Sequence, residues 1–168
     1  EVAMLEELMR PENLALLGGN GADSFAKLTE EEIRTALGDA SGDVGTALSY
    51  ALSKVGYPYS QELRDSGDYY DCSSLVYYAW KAAGVDISFG GSYSAAAQAQ
   101  GLEQAGKSVP LEELQPGDLI YFSYVHNGRY KNISHVAIYA GNGMIIEAAN
   151  ESTGVVYRKL HSRGSIVT

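Results

Sequence analysis

The sequence predicts an α+β fold in which helices come first and an antiparallel meander follows. Three observations carry this expectation. From about Val44, apolar residues recur at the three- and four-residue steps of helical faces. After Gln115-Pro116-Gly117-Asp118 the pattern changes to short runs rich in β-branched and aromatic residues. Two of those runs flank Ala140-Gly141-Asn142-Gly143, which has the chemistry of a tight hairpin. Helices segregated from strands along a chain cover one face of the sheet.

The elements follow in order. Helical stretches are expected at Val2–Met9 and Glu30–Leu37, and Thr29 with Glu32 three residues on has capping-box form. Gly18-Gly19-Asn20-Gly21 reads as a loop or linker. A denser helix is expected over Val44–Val55, stopped at Gly56 before the turn Tyr57-Pro58-Tyr59. Next comes a helix opening at Cys72 behind Asp71, with Leu75, Val76, Ala79, Trp80 and Ala83 on one face and Gly84 as its stop. A short helix near Ser94–Gln100 precedes four expected strands: Leu119–Ser123, His135–Tyr139, Met144–Ala148 and Val155–Lys159. The change in character near residue 43 divides the chain into an acidic, aromatic-poor lead-in (1–43), read as a linker from a larger protein, and a main domain (44–168).

Composition narrows the function classes. The net charge of −9 disfavours nucleic acid, whose phosphates attract basic surfaces. The same charge disfavours simple electrostatic adhesion to anionic membranes or wall polymers. No apolar run approaches the ~20 residues that a membrane-crossing helix requires. The chain begins at Glu1 without a basic, apolar leader, which reads as a trimmed or excised sequence and says nothing about export.

The only cysteine, Cys72, is therefore central. In the first turn of a helix the positive end of the helix dipole favours thiolate, which is how proteins make a sulfur nucleophile. A buried cysteine that only fills space fits the same position. Among the three histidines, His126 lies in a polar, glycine-containing stretch and His161 sits beside Lys159 and Arg163, both settings for solvated side chains. His135 differs, because it opens the strongest strand pattern. Glu147 closes the apolar run Met144-Ile145-Ile146, where an unpaired acid is costly. A hairpin closing at Asn142 pairs residues whose numbers sum to about 282–284, which sets His135 opposite Glu147 to within a residue or so. That pair reads equally as a salt bridge or as a base with its orienting group.

The order of parts resembles the NlpC-type family of cell-wall cysteine peptidases, a bacterial branch of the papain-like group. The matching pieces are Gly56-Tyr57-Pro58-Tyr59, Asp71-Cys72-Ser73-Ser74-Leu75-Val76, Gln115-Pro116-Gly117-Asp118-Leu119-Ile120-Tyr121-Phe122 and Ser134-His135-Val136-Ala137-Ile138-Tyr139-Ala140-Gly141-Asn142-Gly143, with the strand up to Glu147. The resemblance covers about residues 44–160. It implies a papain-like NlpC-type fold with the catalytic cysteine at a helix N-terminus. It also implies Cys72 as nucleophile, His135 as general base and then acid, and Glu147 in the histidine-orienting place, which more commonly holds His, Asn or Gln.

Tyr59 matches the family's tyrosine expected at the oxyanion, with the Cys72 backbone N–H as the other donor. Asp71 and Ser73 match positions that help relatives recognise polar groups of a peptide, although Asp71 reads equally well as a helix cap. Two departures stand out: the usual Trp-Gly-Gly after the tyrosine is replaced by the longer, more polar stretch 60–70, and Ser74 replaces a common glycine. Tyr57, Tyr59, Tyr69 and Tyr70 offer flat walls for a substrate groove.

The function implied is a peptidoglycan hydrolase that cuts stem peptides through a cysteine acyl-enzyme, at the bond between the γ-carboxyl of D-glutamate and the following diamino acid. The alternatives are a CHAP-like amidase or crosslink endopeptidase, an acyl or amide transferase, and an inactive wall-binding module. No cofactor is implied, and no metal, since the histidines lack close ligand spacing and no second cysteine shares an ion. The implied partners are peptidoglycan stem peptides and other modules of a longer parent chain. The implied location is extracellular or wall-associated.

Overall fold

Residues 23–124, 126–160 and 165–167 are described by a computed structural model, the last three by their backbone alone. The expected helix at Val2–Met9 and His161 lie outside the described residues.

Helix α1 (Glu30–Leu37) starts as its sequence dictates. The Glu32 N–H donates to the Thr29 hydroxyl at 3.1 Å, and the Thr29 N–H donates to the Glu32 carboxylate at 3.0 Å. Helix α2 (Gly42–Ser53) begins two residues before the expected Val44 and buries Ala47, Leu48, Ala51 and Leu52. Helix α3 (Cys72–Ala82) packs along α2 and across the sheet, burying Leu75, Val76 and Ala79 completely. Each such leucine or valine contributes about 1.5–3 kcal/mol of transfer free energy. After Ala83, Gly84 adopts φ +82°, the left-handed conformation that ends a helix most readily at glycine. Helix α4 (Ala95–Gln104) is capped by the Ser94 hydroxyl and runs four residues beyond the expected Gln100.

The sheet consists of β1 (Leu119–Ser123), β2 (His135–Gly141), β3 (Met144–Ala148), β4 (Val155–Lys159) and β5 (Ser165–Val167), in the spatial order β4-β3-β2-β1-β5 and antiparallel throughout. Four strands match the sequence expectation, and β5 was not expected. Strand alternation gives the sheet two apolar faces. Tyr121, Val136, Ile138, Met144 and Ile146 join the helices in the main core. Ile120, Phe122, Ala137, Tyr139 and Ile145 form a smaller cluster with Leu111 and Leu160. The main core also takes in Leu28, and Ser24 pairs with Tyr157 on β4, so residues 23–40 pack on the domain.

One local irregularity positions the site. Asn142 (φ +55°) and Gly143 (φ +74°) form the tight turn of the β2–β3 hairpin, and Gly141 pairs with Met144. Tyr139 then pairs with Ile145, which leaves Ala140 as the extra residue of a bulge. From there Ile138 faces Ile146, so Ala137 falls opposite Glu147. His135 is thus diagonal to Glu147 on the same face, one step of alternation further along than a directly facing pair. Diagonal neighbours on one face remain within reach of long side chains.

Candidate active site

The thiol is placed by the cap of α3. The Asp71 carboxylate accepts the Ser74 N–H at 2.8 Å, and the Ser74 hydroxyl accepts the Asp71 N–H at 2.9 Å. This reciprocal box fixes Cys72 as the first residue of the helix, where its own N–H has no intrahelical acceptor. The first turn of α3 is braced from α4 by a residue outside the sequence-predicted site. Gln98 of α4, fully buried, donates to the Ser73 carbonyl at 3.0 Å and to the Tyr93 carbonyl at 2.7 Å, and accepts from the Tyr121 hydroxyl at 3.2 Å. A signal existed: Gln98 shares a helical face with Ala95, Ala99 and Leu102, so a polar side chain there needs buried partners.

His135, at the start of β2, is 6% exposed and lies over the Phe122 and Tyr124 rings. Its Nε2 meets Glu147 Oε1 at 2.5 Å, which leaves Nδ1 as the nitrogen for the sulfur. Burial pulls the His135 imidazolium down, but hydrogen bonding to Cys72 and Glu147 and their negative charge outweigh it, and the ring is pushed up to about 9. His135 is therefore cationic at neutral pH. The structure brings Cys72, His135 and Glu147 into one cluster.

Glu147 is only 1% exposed and is held from two sides. Besides His135, Arg158 of β4 donates from Nε to Glu147 Oε2 at 2.6 Å. A buried carboxylate is tolerable when each oxygen meets a cationic donor, and costly otherwise. Arg158 was not singled out from the sequence, although its alternation with Val156 put it on the same sheet face as its neighbour's acid.

Tyr59 is half-buried, and its strand-like bridge to Tyr70 sets it beside Asp71 and Cys72. Burial, then the negative charge of Cys72 and Asp71, push its phenol up to about 12, so it remains a hydrogen-bond donor at neutral pH. Ser73 is 3% exposed, and its hydroxyl lies 3.4 Å from Asp71 Oδ1. Tyr70 corrects the expectation of a groove wall: it is 1% exposed, and its hydroxyl is 2.7 Å from that of Tyr50, so it belongs to the core. His126 is exposed and outside the cluster. Among the described residues, no group of three or more His, Cys, Asp or Glu side chains is placed to hold a metal ion, and no helix is long and apolar enough to cross a membrane.

The NlpC/P60 family model matches residues 56–166. The chain belongs to that family. It is 32% identical over 127 residues to the probable endopeptidase Rv2190c of Mycobacterium tuberculosis, an alignment covering 76% of this chain and 29% of the relative. It is 38% identical over 86 residues to the peptidoglycan DL-endopeptidase CwlO of Bacillus licheniformis, covering 51% of this chain and 16% of that protein. The chain thus spans less than a third of the length of these curated relatives. Among solved structures, the P60 domain of antigen MAP1204 from M. avium subspecies paratuberculosis superposes with a TM-score of 0.57 at 25% identity, covering 75% of this chain and 93% of that one.

The protonation of His135 links the site to stability. Its folded-state value of about 9 lies above the ordinary unfolded value near 6.5. The folded state therefore binds the proton more tightly. The resulting stabilisation is complete below about pH 6.5 and is lost as pH rises toward 9. Denaturant midpoints measured from pH 6 to 10 are expected to fall across this interval in the native sequence and to lose that component in His135→Gln.

Proposed function

We propose that this domain is a peptidoglycan endopeptidase that hydrolyses stem peptides through a thioester on Cys72, at the bond joining the γ-carboxyl of D-glutamate to the next diamino acid. The observation that carries the reading is the convergence of Cys72, His135 and Glu147, with a cationic imidazole beside a sulfur at a helix N-terminus. Membership of the NlpC/P60 family and relatives named as endopeptidases support the substrate class. The wall is then its place of action.

In this reading the Cys72 thiolate attacks the scissile carbonyl. The oxyanion that forms accepts hydrogen bonds from the Cys72 N–H and the Tyr59 hydroxyl. His135 gives its proton to the departing amine as the carbon–nitrogen bond breaks, leaving an acyl-thioester. Neutral His135 then takes a proton from water, whose oxygen displaces the sulfur and releases a carboxylic acid. Glu147, steadied by Arg158, holds the imidazole so that Nδ1 addresses the sulfur.

The test is digestion of defined muropeptides followed by mass spectrometry of the new termini. The expected products carry a new free amine on the diamino acid and a free γ-carboxyl on D-glutamate. Cleavage at the sugar–peptide amide or at a crosslink instead would replace this assignment with the amidase or crosslink-endopeptidase reading.

A further inference from the structure

The stretch 60–70, tied at its ends by the Tyr59–Tyr70 bridge, folds a cation back onto the aspartate that caps α3. Arg64 donates from Nη1 to Asp71 Oδ2 at 2.9 Å, immediately before Cys72 in the chain. The other Asp71 oxygen is already taken by the Ser74 N–H. The acid is hidden and the base is visible: the Asp71 side chain is 3% exposed and that of Arg64 is 33%. An uncovered carboxylate at this place would attract an ammonium group. Here both oxygens of that carboxylate are engaged and the group is buried, so the surface of the subsite is a guanidinium.

The guanidinium is also held in place. Its central carbon lies 4.6 Å from the centre of the Tyr93 ring, and Tyr93 stacks on Tyr77 at 4.4 Å and 13°. Asp65, the neighbouring acid, accepts the Tyr93 and Tyr78 hydroxyls on Oδ1, and its charge adds to the field that holds Arg64 cationic. Among the described residues, the bond to Asp71 is the only hydrogen bond Arg64 makes, so the edge formed by Nε and Nη2 is open. That edge matches the two oxygens of a carboxylate. On a chain of net charge −9 such a fixed cation on the residue next to Cys72 is a selective feature.

We propose that Arg64 is a specificity-determining residue that takes a substrate carboxylate beside Cys72, where a bare Asp71 would take an amine. The inference rests on the reading under Proposed function, and it names the charge of the group recognised. A D-glutamate linked through its γ-carboxyl leaves its α-carboxylate free, and amidation converts that group to a neutral carboxamide. Arg64 therefore distinguishes the two forms of the stem.

The experiment uses two synthetic stem peptides that differ only in this group, the α-carboxylate or the α-carboxamide. Their affinities are measured calorimetrically with the Cys72→Ala protein, so binding is read without turnover. Affinity for the carboxylate form is expected to exceed that for the carboxamide by about tenfold, as for one charge-assisted hydrogen-bonded pair. Adding Arg64→Gln is expected to level the two affinities by weakening only the carboxylate form, and Arg64→Lys to keep part of the preference. In the Cys72→Ala protein, added salt is expected to reduce the carboxylate affinity and spare the carboxamide, a readout that does not require any Arg64 variant to fold. Equal affinities in the Cys72→Ala protein, or an equal loss for both peptides on Arg64→Gln, overturns the proposal and reduces Arg64 to a support for Asp71. Failure of native protein to cut a peptide that it binds would instead count against the hydrolase reading, so the two fail separately.

Discussion

Cys72→Ala is expected to abolish release of peptide fragments from purified peptidoglycan, a loss of at least about a thousandfold in kcat/KM. The domain should remain folded. Cys72 sits at the first position of α3, where the Asp71 cap and the buried Leu75 and Val76 hold the helix without help from the sulfur. Alanine loses a small, nearly buried thiol and gains slightly in helix propensity. The melting temperature should therefore move by only a few degrees, the shift expected from about 1 kcal/mol in a domain of this size. Activity that survives in Cys72→Ala would remove the nucleophile from the account, whereas collapse of the fold would make the activity loss uninformative. Cys72→Ser guards against the second outcome, because it keeps a γ atom on the side chain and still lacks the sulfur.

The second large effect is expected at Glu147, where charge and orientation can be separated. Glu147→Ala removes the carboxylate that pairs buried His135 and partly buried Arg158. Breaking one side of such a cluster costs on the order of 3 kcal/mol. The imidazole also loses the partner on its Nε2, so kcat should fall by about a hundredfold or more while KM changes little. Glu147→Gln keeps an acceptor for the imidazole but not the negative charge. Its loss should be smaller, and the alkaline limb of its pH–rate profile should move below the native position near 9, since one of the groups that raises His135 has become neutral. Arg158→Gln tests the outer link: it removes a cation and a fixed donor, so Glu147 loses orientation, and stability should fall more than KM changes. Undiminished kcat in Glu147→Ala would reduce the carboxylate to a structural salt bridge.

Much of this site was legible in the chain because its parts sit at element starts. An aspartate before a helical face marks where α3 begins, and the histidine marks where β2 begins. An acid closing a run of buried strand residues is conspicuous because water is absent there. The hairpin turn at Asn142-Gly143 could be read from its two small, left-handed residues. What lies across strands or loops was less accessible. A one-residue bulge at Ala140 sets Ala137 rather than Ile138 opposite Glu147 and so brings His135 to the same face as the acid, and nothing in local propensity fixes that bulge. Arg158 reaches Glu147 only once the β3–β4 register is known. Arg64 meets Asp71 through a loop without periodicity, so no spacing rule connects them. Strand β5 has three residues, too few for alternation to be seen.

The most direct test concerns the sulfur itself. A synthetic stem peptide is mixed with the protein, quenched in acid within milliseconds, and the intact protein is weighed by mass spectrometry. A transient mass increase equal to the acyl fragment is expected, mapped to Cys72 and absent in Cys72→Ser. Hydrolysis that proceeds with no adduct at any time, and equally well after Cys72→Ser, would contradict it.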